Sequence, residues 1–297
     1  MPKKVIVSQS LASQVMAPRS MSSRKGDNGV VLVVGASSTY HGAPLLSSLA
    51  ALRSGVDLVY TAVPQSNALA LRSFSPNLIV LPMVHDSLDI TSARELLQIL
   101  PKKPDVAAIG MGLNIAKNEA LITLISELKG LRTKLLLDAS ALIPDVLKHI
   151  SRTDTIVTPH LGEFRRLFSW EKTVNSSVHD KITLEKLTSY VIGMAEKYGI
   201  TIILKGHHNI VASGITNRIS VIERSTPAMT MGGTGDVLSG LVTGLLTKLD
   251  PFHASVMGVY FNGLAASRAY KRSGLHLVAT DLIDELPTVM KKFDKVK

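Results

Sequence analysis

Asp236 follows Gly232, Gly233, Thr234 and Gly235, and beyond it Leu238, Leu241, Val242, Leu245, Leu246 and Leu249 recur at helical spacing. The spacing predicts a helix whose first turn carries the carboxylate and whose start is built from glycine. Such a start is an anion site, because its unpaired N–H groups and positive dipole end face outward and glycine lets a ligand approach the backbone. A carboxylate there is equally well explained as a cap or dipole partner. The glycine density favours the ligand: each glycine in regular structure costs roughly 0.5–1 kcal/mol relative to alanine. Phosphate held by Gly233, Thr234 and Gly235 beside a proton-accepting Asp236 is the chemistry this run predicts.

Further polar and glycine-rich stretches follow apolar runs: Gly35-Ala36-Ser37-Ser38, Gly110-Met111-Gly112, Asp138-Ala139-Ser140, Thr158 to Glu163, and Lys205-Gly206-His207-His208-Asn209. In an open α/β sheet these positions line the crevice beyond the carboxyl ends of the strands. His160 could meet a phosphate or a ribose hydroxyl, or stand solvated in a loop. Glu163 reads as a cap partner, and Lys205 as a strand-end lysine or a phosphate ligand. His207 and His208, adjacent at a strand end, are expected to point to opposite faces, and no carboxylate stands at ligand spacing, so no metal site is expected. Arg165 and Arg166 are expected on a solvated helix face.

The chain has 297 residues, 45% of them apolar, enough for a sizeable core in one domain. It contains no cysteine, which removes thiolate nucleophiles, thiolate metal sites and disulfides. No apolar run reaches the roughly 18 residues of a membrane span, and no secretory signal is evident, so a cytoplasmic location is expected. Residues 1–26 form a basic segment without an acid. Within it Val5-Ile6-Val7 reads as a short strand or docking piece. The formal charge of +10 suits a polyanionic partner, yet 4% aromatic residues and dispersed basic groups argue against nucleic acid.

Strand-like runs at Val30–Val34, Leu58–Val63, Leu78–Leu81, Val106–Ile109, Leu135–Leu137, Thr155–Val157 and Ile202–Leu204 alternate with helical patterns at Pro44–Arg53, Ser92–Leu100, Ala116–Lys129 and Thr183–Tyr198. The alternation predicts an α/β fold with a mostly parallel sheet covered on both faces. Asn175–Asp180 reads as a polar loop.

Arg24-Lys25-Gly26, Gly35 to Pro44, Thr158-Pro159-His160-Leu161-Gly162-Glu163 and Gly232 to Gly240, in that order, resemble the ADP- or ATP-dependent NAD(P)H-hydrate dehydratases of the ribokinase-like superfamily. The resemblance runs from about Arg24 to about Ala279. It implies a three-layer αβα sandwich and repair of hydrated NADH or NADPH (NAD(P)HX), with Mg²⁺ and ADP or ATP as phosphoryl donor. Ala43, Gly112 and His160 would contact the hydrated dinucleotide; Lys205, Gly206, His207, His208, Asn209 and Gly235 would hold the adenine nucleotide; Asp236 would be the catalytic base. It further implies a separate epimerase partner and a homotetramer. Departures stand at Ser140 and Ile143, in Gly110 to Asn114, in Ser225 to Met229, and in the bulky His207-His208-Asn209. The same glycine loop and aspartate would also serve a small-molecule kinase, or a nucleotide-sensing protein without turnover.

Overall fold

The computed structural model describes residues 2–169, 182–223 and 226–297. The expected loop at Asn175–Asp180 and Ser225 lie outside the described residues.

Among the described residues ten strands form one sheet: β1 (Lys3–Lys4), β2 (Val30–Val34), β3 (Leu58–Pro64), β4 (Ile79–Met83), β5 (Val106–Ile109), β6 (Lys134–Leu137), β7 (Thr155–Val157), β8 (Thr201–Leu204), β9 (His208–Ser213) and β10 (Arg218–Glu223). Their order is β1-β10-β9-β8-β7-β6-β5-β2-β3-β4. Every pairing from β4 through β8 is parallel, whereas β9 is antiparallel to both β8 and β10.

The unbroken apolar run of β2 is explained by burial on both faces. Val31 and Val33 join a core with the helices Gly42–Arg53, Thr234–Leu246, Pro251–Ser273 and Ala279–Met290. Val30, Leu32 and Val34 join a second core with the helices Ile90–Gln98, Asn118–Gly130, Leu161–Leu167 and Leu184–Tyr198. Two cores divided by one sheet make the three-layer sandwich. The helix Leu184–Tyr198 starts as expected, with the Thr183 side chain accepting from the Lys186 N–H.

The docking reading of the N-terminal segment holds with a shift: Lys3–Lys4, rather than Val5–Val7, pairs with β10, and the Val5 N–H donates to the Ile219 carbonyl. At the other end of the chain the basic tail is tied down, since the Arg19 and Lys297 N–H groups donate to the carbonyls of Lys295 and Arg19 respectively. Among the described residues no helix is long and apolar enough to cross a membrane.

Candidate active site

The glycine run does open a helix, Thr234–Leu246, with Asp236 in its first turn. Gly233 is required there by the protein itself. Its φ is +89°, and an added Cβ would lie 2.6 Å from Leu46 Cδ1 and 2.9 Å from Ala279 Cβ. Gly235 differs: a Cβ there would meet only Lys205 Nζ, at 3.5 Å, so nothing but that ammonium crowds its missing side chain. The Thr234 hydroxyl is turned inward, donating to the Met229 and Met231 carbonyls at 3.0 Å, which leaves the backbone of the turn as the outward-facing donor surface. The helix is held against Gly42–Arg53. A Cβ on Gly240 would stand 1.9 Å from the Ser47 carbonyl oxygen, and the Ser47 hydroxyl donates to the Asp236 carbonyl at 2.9 Å.

Three carboxylates and one lysine share the ends of the central strands. Lys205 Nζ donates to Asp138 Oδ1 at 2.8 Å, the Ser239 hydroxyl donates to Asp138 Oδ2 at 2.6 Å, and the Ala139 N–H donates to Oδ1 at 2.9 Å. Burial alone would depress Lys205, but the charges of Asp138, Glu163 and Asp236 outweigh it and hold the ammonium above its ordinary value. Asp236 has no hydrogen-bond or ion-pair partner for its carboxylate among the described residues. Burial, seconded by the charge of Asp138 and opposed by Lys205, pushes it up to about 7. A partly buried carboxylate poised near neutrality has the chemistry to accept a proton at physiological pH.

Asp236 and Gly235, adjacent in the first turn, stand on two different clefts. One, of about 510 Å³, is lined by Ser37, Tyr40, Ala43, Gly112, Ser140 and Asp236, among others. Its wall includes Ala139, just after β6, which is in the left-handed region with a φ of +48°; Ala36, buried just after β2 and next to the lining residue Ser37, is there too, at +74°. The other, of about 210 Å³, is lined by Lys205, Gly206, Asn209, Thr234, Gly235 and Asn262, among others. Asn262 is 2% exposed, and its Oδ1 has no hydrogen-bond partner among the described residues.

Sequence reasoning therefore assembled Ala43, Gly112 and Asp236 on one side and Lys205, Gly206, Asn209 and Gly235 on the other. Four of its candidates line neither cleft: Gly233, His160, His207 and His208. The His160 ring caps the helix Leu161–Leu167: Nδ1 accepts from the N–H groups of Gly162 and Glu163, while Glu163 Oε2 accepts from the His160 N–H. Glu163 is thus the cap partner expected, and its Oε1 lies 3.4 Å from His160 Nε2. His207 and His208 stand at the outer turn. The stretch Lys205–Asn209 is less a loop than the corner of a hairpin, because His208 and Asn209 already belong to β9. The histidines do not diverge as expected, either: His207 sits in the bend ahead of the strand, and the two Nδ1 atoms are 3.3 Å apart. Arg166 is exposed, as expected, but donates to the Leu142 and Ala139 carbonyls. Ser140, at the departure after Asp138-Ala139, donates to the Gly110 carbonyl at 2.8 Å, and Ile143 packs against the second core. The linking role of Asp138 and Ser239 escaped sequence reasoning. The signal for Ser239 was its place three residues after Asp236, on the same helix face.

A mostly parallel sheet flanked by helices, with an unpaired carboxylate in the first turn of a glycine-built helix start, is the arrangement of a ribokinase-like protein. Residues 31–288 match the family model described as NAD(P)H-hydrate dehydratase. The chain is 48% identical over 287 residues to the ADP-dependent (S)-NAD(P)H-hydrate dehydratase of Nitrosopumilus maritimus, covering 96% of each chain. It is 46% identical to the enzyme of the same description from Cenarchaeum symbiosum, covering 94% of each. Among solved structures, the ADP/ATP-dependent NAD(P)H-hydrate dehydratase of Bacillus subtilis co-crystallised with ATP and Mg²⁺ superposes with a TM-score of 0.77 at 25% identity, over 95% of this chain and 96% of that one. The chain belongs to the NAD(P)H-hydrate dehydratase family.

Proposed function

We propose that the chain restores hydrated NADH and NADPH, with the damaged dinucleotide in the larger cleft and an adenine nucleotide in the smaller. The observation that carries this reading is that Asp236 and Gly235, neighbours in one helical turn, each line a different cleft. A hydroxyl in one cleft and a terminal phosphoryl group in the other would therefore meet at the base. Asp236 takes the proton of the ring hydroxyl as its oxygen attacks phosphorus, and AMP leaves when the donor is ADP, or ADP when it is ATP. Amides of the Gly233–Gly235 turn and the Lys205 ammonium stabilise the phosphoryl oxygens. The ring nitrogen's electron pair then expels phosphate, and loss of a proton from the neighbouring carbon restores the double bond.

Relatives that are ADP-dependent dehydratases support this reaction over the kinase alternative. They favour ADP as donor. Mg²⁺ fits as the nucleotide's companion: Asp138 and Glu163 are committed to internal partners, so the protein offers mainly Asp236 and the ion would rest chiefly on phosphate oxygens. Bound there, it would supply charge neutralisation. Asn262 Oδ1 suits an amino donor such as the one on adenine. His160, exposed at the helix cap, would reach the dinucleotide through Nε2 on turning from Glu163 Oε1. A cytoplasmic homotetramer of single-domain chains completes the reading. So does a functional link to an epimerase, which is in keeping with the bifunctional NAD(P)H-hydrate repair enzyme of Pyrobaculum aerophilum, whose length this chain matches over 53%.

Incubating the protein with hydrated NADH, Mg²⁺ and either ADP or ATP tests the proposal. Reappearance of reduced-nicotinamide absorbance with one phosphate released per turnover is the expected result. A phosphorylated alcohol that persists would establish kinase chemistry, and unchanged nucleotide would leave a binding protein without turnover.

A further inference from the structure

We infer that His207, His208 and Glu223 form a binding site for one divalent transition-metal ion of the zinc class, at the rim of the smaller cleft. One ligand atom from each of the three lies within 4.8 Å of the other two. Tetrahedral coordination with bonds of about 2.1 Å places ligand atoms about 3.4 Å apart, so modest side-chain rotations close the site.

The backbone, rather than surface rotamers alone, brings the set together. His208 and Glu223 are direct partners in the antiparallel register of β9 and β10, so their side chains leave the same face of the hairpin. His207 precedes the strand in a bend, which frees it from strand alternation and turns its ring toward His208, with centroids 4.7 Å apart. His207 Nε2 lies 4.0 Å from Glu223 Oε1. Two imidazoles and one carboxylate select zinc, cobalt or nickel over magnesium and calcium, which prefer all-oxygen shells. Three protein ligands leave at least one position open to water or to an oxygen of a molecule in the neighbouring cleft, whose wall includes Gly206 and Asn209. The site stands independently of the reaction assigned to the clefts, and its test needs neither substrate nor nucleotide.

The untagged full chain, stripped with chelator, is titrated with Zn²⁺ by equilibrium dialysis in excess Mg²⁺, and with Co²⁺ by visible absorption. One ion per chain is expected, with a Co²⁺ ligand-field band that Zn²⁺ abolishes. His208→Ala and Glu223→Gln should each weaken Zn²⁺ binding by at least tenfold, and His207→Ala/His208→Ala should abolish the band, with circular dichroism unchanged. His85→Ala, on an exposed histidine just after β4 at the opposite edge of the sheet, should leave both readouts as they are. The inference is overturned if the native chain binds no stoichiometric ion, or if the double variant retains one with native affinity.

Discussion

Lys205 Nζ and Asp138 Oδ1 meet at 2.8 Å across the end of an intervening strand, for Lys205 follows β8, Asp138 follows β6, and β7 runs between. Two strand spacings are about 10 Å, a gap that only a long side chain spans. The pair divides two neighbouring acids into different roles. Asp138 is neutralised and locked, while Asp236 is left ionisable near neutrality.

Lys205→Met should uncouple that division. Losing the ammonium removes a charge that pulls Asp236 down, so the acidic limb of kcat/KM should move to higher pH and activity at pH 7 should fall. Asp138, buried without a counter-charge, should cost about 3–5 kcal/mol in urea unfolding. A limb that stays in place would contradict the proposed electrostatics.

In the native chain the base acts ionised, so kcat/KM should rise with pH and level off above about 7. Asp236→Asn should lower kcat by about 10²–10⁴. Its stability carries an opposite sign. A carboxyl raised from 3.8 to about 7 lends stability that is complete below the lower value and gone above the upper one. Asp236→Asn should therefore melt above the native protein at pH 8, with the gap shrinking toward pH 4, as scanning calorimetry at the two pH values would record.

Ser239→Ala removes the 2.6 Å hydrogen bond to Asp138 Oδ2 inside the core. Chemical denaturation should report a loss of about 1–3 kcal/mol. The fall in kcat should be smaller than that of Asp236→Asn, because Ser239 acts by holding Asp138.

Asn262→Leu takes away the unpaired amide oxygen beside the smaller cleft. Affinity for ADP should drop roughly tenfold or more, by the cost of one buried hydrogen bond, with little change for IDP, which carries an oxygen where ADP carries an amino group. Calorimetric titration with both nucleotides reads the ratio directly.

Much of the sheet was legible because strands buried on both faces cannot hide: β2 and β5 are continuous apolar runs, and so is β6 beyond Lys134. The β9–β10 hairpin was not, since His208, Asn209 and Arg218 break the apolar pattern, and the helix Pro251–Ser273 was missed because small and polar residues dilute its stripe. The same limit applied to the site. Asp236 was visible from its glycine neighbours, a local signal. Asp138 and Ser239 are separated by about a hundred positions in the chain and acquire their roles only when β6 and the helix Thr234–Leu246 are juxtaposed. His160 stands out in the sequence as a polar residue after a strand, yet its cap geometry depends on one ring nitrogen that no spacing specifies.

The close seat of Gly240 on Ser47 has a further consequence. It rivets the helix bearing Asp236 to the helix that carries Ala43, so the spacing of these two lining residues is fixed before any molecule arrives. Catalytic alignment then needs no closing motion of these two segments, and a larger residue at position 240 would be expected to spoil turnover from the rear of the molecule without touching either ligand.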